Sequence, residues 1–113
     1  MWIGNSVGTH IRESNIHGLG VFSTKEFTPN VDVGKSHIGI GFINGKLIAG
    51  QTTDLGRFQN HSNKPNCINK IVGADLHMVT TQHIYPGDEL VVDFHQNAHI
   101  CINIENSENW KQN

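Results

Sequence analysis

The sequence has few cysteines, few charged residues and no long apolar run, and each shortage excludes a class of protein. It has 2 cysteines in 113 residues, too few for a disulfide-stabilised scaffold or for a zinc site made of four thiolates. Charged residues make up 16% of the chain, against about 25% in an average domain. No segment is apolar over the roughly 18 residues that a membrane-spanning helix needs, and the N-terminal residues lack the apolar stretch of a signal peptide.

These shortages also set expectations for partners and location. With 8 lysines and arginines against 10 acids, and a net charge of −2, the chain cannot form a dense basic surface, so no direct nucleic-acid partner is expected. We expect a soluble, cytoplasmic or intracellular protein with no membrane contact and with free thiols at Cys67 and Cys101. The apolar fraction of 36% suffices for one core, so residues 1–113 are expected to form a single domain.

Short β-branched and aromatic segments separated by turn residues indicate an almost all-β domain. Asn44-Gly45 suits a two-residue hairpin with positive φ, and Gly73-Ala74-Asp75 is expected to close a second hairpin. Pro86-Gly87 has the residue order of a type II turn. One short helical turn is predicted around 54–59. The predicted strands are 9–13, 19–24, 37–43, 46–49, 66–72, 76–82, 89–94 and 99–104.

Three segments carry motifs. Gly18-Leu19-Gly20 is a glycine pair with one spacer, but a dinucleotide-binding fingerprint needs a third glycine where this chain has Ser23, so a Rossmann site is rejected. The second segment, Gly56 to Cys67, concentrates Asn, His, Ser and Pro residues that favour local bonds to the backbone. The third, Ile84 to Phe94, is a turn leading into a strand that ends in an acid and an aromatic. Taken alone, the first two also fit an ordinary turn and a surface loop.

In this order and spacing, the three segments together resemble the SET-domain protein-lysine methyltransferases. Residues 16–24 are similar to the family's first glycine motif, 57–67 to its RFxNHSxxPN signature, and 86–94 to its PGxELxxDY segment. The resemblance covers roughly residues 10–95, and the small size is similar to minimal, viral-type members without flanking zinc domains. It implies a mostly β, β-clip SET fold of small sheets in which the signature and the final strand form a C-terminal pseudoknot.

The resemblance implies methyl transfer from S-adenosyl-L-methionine to a lysine of a protein or peptide, with S-adenosyl-L-homocysteine as product. A lysine amine with a pKa of about 10.4 must lose its proton before it can accept the methyl group, and a desolvating apolar channel would favour the neutral form. Positioning is then the main catalytic contribution. The resemblance also implies that a homodimer could complete the substrate groove, while the sequence itself leaves oligomeric state and substrate open.

By the same resemblance, the cofactor contacts fall on the glycine motif, the signature and a C-terminal aromatic residue. Asn60 would bond the amino-acid end of the cofactor, and the backbone of His61 would bond the adenine edge. Trp110 either stacks on adenine or is an exposed residue of the tail. The expected cofactor-binding residues are His17, Gly18, Leu19, Gly20, Arg57, Phe58, Asn60, His61 and Trp110.

The sequence departs from the family at the catalytic position. The family's final motif ends in a tyrosine whose hydroxyl lies where methyl and amine meet, and this chain has Phe94. Losing one positioned donor would lower the rate by about 10²–10³-fold. The alternative to a weakened enzyme is therefore an inactive SET-fold module that binds the cofactor or a lysine peptide. His95 is a candidate substitute for the missing hydroxyl, and Tyr85 is expected at the surface. Val92 lies at the position that resembles the family's control of how many methyl groups fit.

Several remaining residues have side chains that could bind a metal ion. His95, His99 and Cys101 would share one strand face and make a conceivable metal set, but three donors leave the shell incomplete. Cys67 stands where zinc-bearing relatives place a ligand, yet its partners are missing, so a buried thiol is expected. Glu89 is interpreted as a hydrogen-bond anchor in the threaded region. The sequence therefore predicts no metal centre.

Overall fold

The computed structural model describes residues 8–44 and 46–94, and most of them lie in strands. The elements are β1 Thr9–Glu13, β2 Leu19–Ser23, β3 Asp32–Ile43, β4 Lys46–Thr52, a short helix α1 Asp54–Arg57, β5 Asn60–His61, β6 Cys67–Val72, β7 Asp75–Thr80 and β8 Glu89–Val92. They form two four-stranded sheets. The first sheet has the order β1-β2-β8-β5, and the second has the order β4-β3-β7-β6.

The second sheet is antiparallel throughout, and its tight turns are the predicted ones. β3 and β4 pair with Ile43 opposite Lys46, and Asn44 between them has a φ of 55°, as a type I′ turn requires. β6 and β7 are antiparallel neighbours joined at Gly73, whose φ is 64°. Both predicted hairpins are confirmed.

The first sheet joins the two ends of the described chain. β2 pairs antiparallel with β1 on one side and with β8 on the other. β5 pairs parallel with β8, which sets Asn60 opposite Val91 and His61 opposite Val92. The signature and the final motif are therefore neighbouring strands, while the pseudoknot threading itself stays a prediction.

The turn that leads into β8 has the predicted type II geometry. Gly87 has a φ of 93°, and the Asp88 N–H donates to the Tyr85 carbonyl at 3.0 Å. The Ser23 hydroxyl also donates to the Tyr85 carbonyl, at 2.6 Å, and so ties this turn to the end of β2. Tyr85 itself is 57% exposed, which confirms its predicted place at the surface.

The core draws on both sheets and on α1. β7 alternates buried and partly buried residues along its length, the pattern of a strand with one face toward a core. Cys67 is fully buried, which confirms the expectation of a buried thiol, and this burial raises the pKa of the thiol to about 12. The buried apolar cluster consists of Val21, Phe27, Val33, Leu55, Cys67, Met78, Ile84, Leu90 and Val92.

Element boundaries depart from the prediction in specific places. β3 begins at Asp32, before the predicted start at His37. The prediction missed residues 32–36 because two register shifts and a Gly34 φ of 146° interrupt the alternation that marks a strand. β5 was not predicted, since two residues carry no periodicity of their own. β4 continues to Thr52, and the predicted strand 99–104 lies outside the described residues.

The helical turn predicted around 54–59 is confirmed as α1. Its N-cap is Thr53, whose side chain accepts from the Gly56 N–H, the standard way to satisfy a first-turn donor. Within the ranges that the structure describes, no helix has the length and apolar character needed to cross a bilayer. The mostly β architecture is confirmed.

Candidate functional site

The glycine motif forms an exposed bend between β1 and β2. The Ser14 N–H donates to the Gly18 carbonyl at 2.8 Å, and Gly18 has a φ of 46°, in the left-handed region that favours glycine. A Cβ added at Gly18 would meet nothing within 4 Å. The bend therefore leaves open space beside its backbone at His17 to Leu19, all of which are exposed.

Gly20 serves a different purpose from Gly18. A Cβ at this position would lie 2.2 Å from Glu89 Oε2 and 3.0 Å from Ser14 Cβ. Any side chain larger than hydrogen would therefore displace the carboxylate. Glycine at position 20 makes room for Glu89, whereas glycine at position 18 allows the backbone to turn.

Asn60, the first residue of β5, ties the signature to the glycine bend. Its side chain is almost fully buried, and Nδ2 donates to the carbonyls of His17 and Leu19 at 3.1 Å each and to Glu89 Oε2 at 2.8 Å. Because two hydrogens serve three acceptors, the amide nitrogen is fully engaged. None of the described residues donates to Asn60 Oδ1, so this oxygen can accept a hydrogen bond from a bound molecule.

Glu89, the first residue of β8, joins the bend to Asn60. Its Oε1 accepts from Ser14 Oγ at 2.8 Å, and Ser14 Oγ accepts in turn from the N–H groups of Ile16 at 2.9 Å and His17 at 3.4 Å. The anchor inferred from the sequence therefore acts on the glycine bend as well as on the signature. Sequence reasoning missed Ser14, although a serine just before a bend is a common source of such turn bonds.

Asn66, near the end of the signature, binds β8 as a neighbouring strand would. Its Oδ1 accepts from the Val91 N–H at 2.9 Å, and its Nδ2 donates to the Glu89 carbonyl at 2.9 Å. Its backbone N–H also donates to the Val91 carbonyl at 3.2 Å. The side-chain amide thus takes the place of a peptide group and fixes β8 beside the signature.

His61 and Phe94 contact each other at the end of the final motif. The Phe94 N–H donates to His61 Nδ1 at 3.1 Å. The other ring nitrogen, Nε2, lies 3.3 Å from Asn63 Oδ1. The two rings have centroids 5.3 Å apart, and Phe94 packs against the core cluster. An aromatic ring is therefore fixed at this position, without a hydroxyl.

The other predicted site residues are dispersed. Val92 is fully buried in the core cluster. Arg57 is exposed at the last residue of α1, with its guanidinium 5.9 Å from the centre of the Phe58 ring, and Phe58 packs partly buried against the core. His95 and Trp110 lie outside the described residues.

The structure gives no support to a metal centre in the part it describes. Across residues 8–44 and 46–94, no group of three or more His, Cys, Asp and Glu side chains could hold a metal ion. The conceivable metal set of His95, His99 and Cys101 lies outside the described residues. The absence of a metal centre from the whole chain stays a prediction.

Three comparisons relate the chain to known proteins. A family model described as SET domain matches residues 33–95, and a search of curated proteins finds no match. The methyltransferase domain of human PR domain-containing protein 2 superposes with a TM-score of 0.62 at 14% identity, covering 81% of this chain and 88% of that one. A candidate histone methyltransferase of Plasmodium falciparum gives a TM-score of 0.53 at 22% identity, covering 81% of this chain and 95% of that one. At these identities the likeness shows a shared fold.

Proposed function

This chain belongs to the SET domain family, and from that premise we propose that it is a protein-lysine N-methyltransferase that uses S-adenosyl-L-methionine. The observation that carries the proposal is the meeting of three motifs at Asn60, which bonds the glycine bend and Glu89 of the final motif. The residues of the site lie far apart in the chain, so their convergence is a property of the fold. The viral-type assignment and the single-domain organisation of residues 1–113 stay predictions.

The described residues at the bend fit an amino-acid-bearing cofactor. The α-ammonium of such a cofactor is a hydrogen-bond donor, and Asn60 Oδ1 is an acceptor that no described residue engages. The open space at Gly18 allows a ligand to approach the backbone closely. When bound, S-adenosyl-L-methionine supplies an electrophilic methyl group on a sulfonium, and S-adenosyl-L-homocysteine is the product. We assign its contacts to the nine residues expected from the sequence, with Asn60 as the central one.

The protein's own contribution to the reaction would be positioning and desolvation. The lysine must arrive as a neutral amine, and an apolar surround disfavours its charged form. Phe94 offers an aromatic surface, and its backbone is held by the hydrogen bond that its N–H donates to His61 Nδ1. We propose that Val92 and His95 act beside it. Holding amine and methyl in line is worth several kcal/mol by itself, on the order of 7–11 in well-oriented intramolecular reactions.

The partners follow from the same proposal. One structural neighbour is described as a candidate histone methyltransferase, and we extend this to a lysine of a protein or peptide as the substrate here. A homodimer that completes the substrate groove belongs to the proposal. The lack of nucleic-acid and membrane partners and a cytoplasmic or intracellular location belong to it as well.

The test is methyl transfer itself. Purified protein is incubated with methyl-labelled S-adenosyl-L-methionine and a cell lysate, and labelled lysines are identified by mass spectrometry. We expect labelled lysine with the wild type and none with Asn60→Ala. Gln82→Ala is the matched control, because Gln82 is an exposed amide that donates to the Pro65 carbonyl instead of the glycine bend. Equal labelling by Asn60→Ala would remove the basis of the proposal.

A second candidate function follows from Phe94. The backbone and ring of this residue are held by His61 and the core, but the side chain has no hydroxyl to bond the reacting groups. A SET-fold module that binds S-adenosyl-L-methionine or a lysine peptide without methylating it fits that observation. Saturable binding of S-adenosyl-L-homocysteine together with no lysine labelling would identify this alternative.

A further inference from the structure

Glu89 is an acid held by neutral donors beside the proposed cofactor site. Its two carboxylate oxygens accept from Ser14 Oγ and Asn60 Nδ2, at 2.8 Å each. No ion pair to Glu89 is found among the described residues. The Cα of Gly20 lies against the same carboxylate, closely enough that a Cβ would collide with it. Glu89 is thus confined by contacts from both ends of the glycine bend and from the signature.

These contacts decide which way the Asn60 amide points. A carboxylate and a carbonyl only accept hydrogen bonds. Turning the amide over would place Asn60 Oδ1 against Glu89 Oε2 and the carbonyls of His17 and Leu19, so that three acceptors would face a fourth. The observed orientation instead points Nδ2 at all three acceptors and leaves Oδ1 as the available atom.

Glu89 also holds the bend that supplies two of those acceptors. Ser14 donates its one hydroxyl hydrogen to Glu89 Oε1 and accepts from the Ile16 and His17 N–H groups. Ser14 N–H closes the bend on the Gly18 carbonyl. A single carboxylate therefore connects the shape of the bend with the orientation of Asn60.

We propose that Glu89, acting with Ser14, is the positioning residue that presents Asn60 Oδ1 to the amino-acid end of the cofactor. This inference rests on the proposed function. Glu89 bonds Asn60 and the bend and not the reacting atoms, so its effect is on recognition of one end of the ligand. In Glu89→Gln an amide replaces the carboxylate, so Asn60 Nδ2 loses its charged acceptor and the reversed orientation of Asn60 is opposed only by the His17 and Leu19 carbonyls.

The experiment compares two ligands that differ in the amino-acid end. S-adenosyl-L-homocysteine carries it and 5′-methylthioadenosine lacks it, and calorimetry gives the dissociation constant of each. We expect Glu89→Gln to raise the dissociation constant of S-adenosyl-L-homocysteine by about 10- to 100-fold, the loss typical of a hydrogen bond to a charged group. The dissociation constant of methylthioadenosine should change by less than about twofold. Glu13→Gln, an exposed acid on the neighbouring β1, removes the same charge and should change neither constant.

The outcomes separate the inference from the function on which it rests. Equal weakening of both ligands by Glu89→Gln, or no weakening of either, overturns the positioning role. Wild-type protein that binds neither ligand overturns the proposed function and this inference with it. Should Glu89→Gln fail to show a cooperative thermal transition, Ser14→Ala decides instead. This variant removes one donor to Glu89, and we expect it to weaken binding of S-adenosyl-L-homocysteine only. Equal effects on the binding of both ligands would overturn the positioning role.

Discussion

The two sheets of this protein are held together in different ways. The second sheet is an antiparallel arrangement whose tight turns contain Asn44 and Gly73, and its register follows from those turns. The first sheet joins β1 and β2 to β8 and β5, and the side chains of Asn60, Asn66 and Glu89 bond backbone or one another across it. Most motif residues lie on or beside the first sheet. The candidate site therefore lies on the first sheet, where side-chain bonds add to the backbone pairing of the strands.

The largest effect is expected at Phe94, beside the first sheet. If the chain is a weakened methyltransferase, Phe94→Tyr restores a hydroxyl and should raise the rate of lysine methylation by about 10²–10³-fold, the usual value of one positioned donor. Folding stability should change little, because the ring keeps its contacts with His61 and the core. Initial rates of label transfer measure the effect. An unchanged or lower rate would contradict the role given to this position.

The two sheets should respond differently to adding one methyl group at a glycine. Gly20→Ala places a Cβ against the Glu89 carboxylate and should cost about 1–3 kcal/mol of unfolding free energy as overpacking does, with weaker binding of S-adenosyl-L-homocysteine. A Cβ at Gly41 on β3 would meet nothing within 4 Å, so Gly41→Ala should change the free energy of unfolding by no more than about 0.5 kcal/mol. Urea unfolding and calorimetry measure both variants. Equal losses would erase the distinction drawn between the sheets.

A pH effect on stability is expected at the second sheet. Burial lowers the pKa of His37 on β3 to about 4, so the folded protein resists protonation that the unfolded chain accepts below about pH 6.5. The contribution of His37 to the free energy of unfolding is therefore fully present above about pH 6.5. It declines as the pH falls toward 4, by about 2 kcal/mol at pH 5.

His37→Gln removes the titrating ring and should flatten that decline. Urea unfolding of both proteins at pH 7.5 and pH 5 tests this, with His10→Gln, an exposed residue of β1, as the control. Binding of S-adenosyl-L-homocysteine at pH 7.5 should be the same in all three proteins. A pH profile of stability that His37→Gln leaves unchanged would rule out this origin.

The smallest effect concerns the link between the sheets. Gln59, just before β5, and Asn69 on β6 are both buried, and each donates to the other's amide oxygen, at 3.2 and 2.6 Å. A double-mutant cycle with Gln59→Leu and Asn69→Leu should give a coupling energy of about 1 kcal/mol. Additive losses would mean that the amide pair does not connect the two sheets energetically.

How far the sequence predicts this molecule depends on the range of the interaction concerned. Local chemistry was sufficient for the hairpin at Asn44, the turn at Pro86-Gly87 and the alternation of β7, because each is determined within a few residues. β5 was not predicted because its two residues form a strand only by pairing with β8, which is distant in the sequence. The early start of β3 at Asp32 was hidden by bulges.

The candidate site shows the same division. The motif resemblance identified Asn60 and the glycine bend, and the structure places the Asn60 amide on the carbonyls of His17 and Leu19 in that bend. The role of Ser14, the strand-like bonding of Asn66 and the reason for Gly20 emerged only from three-dimensional contacts, since each depends on Glu89 or its strand. A sequence position can indicate that glycine matters without indicating which neighbour requires it.

The most direct test of the central claim is calorimetry of S-adenosyl-L-homocysteine with the wild type and Asn60→Ala. If the glycine bend, the signature and the final motif form one cofactor site, the wild type binds one equivalent, and Asn60→Ala binds at least about tenfold more weakly. The variant should still unfold cooperatively. Absence of binding by the wild type, or equal affinity in the two proteins, would contradict the account.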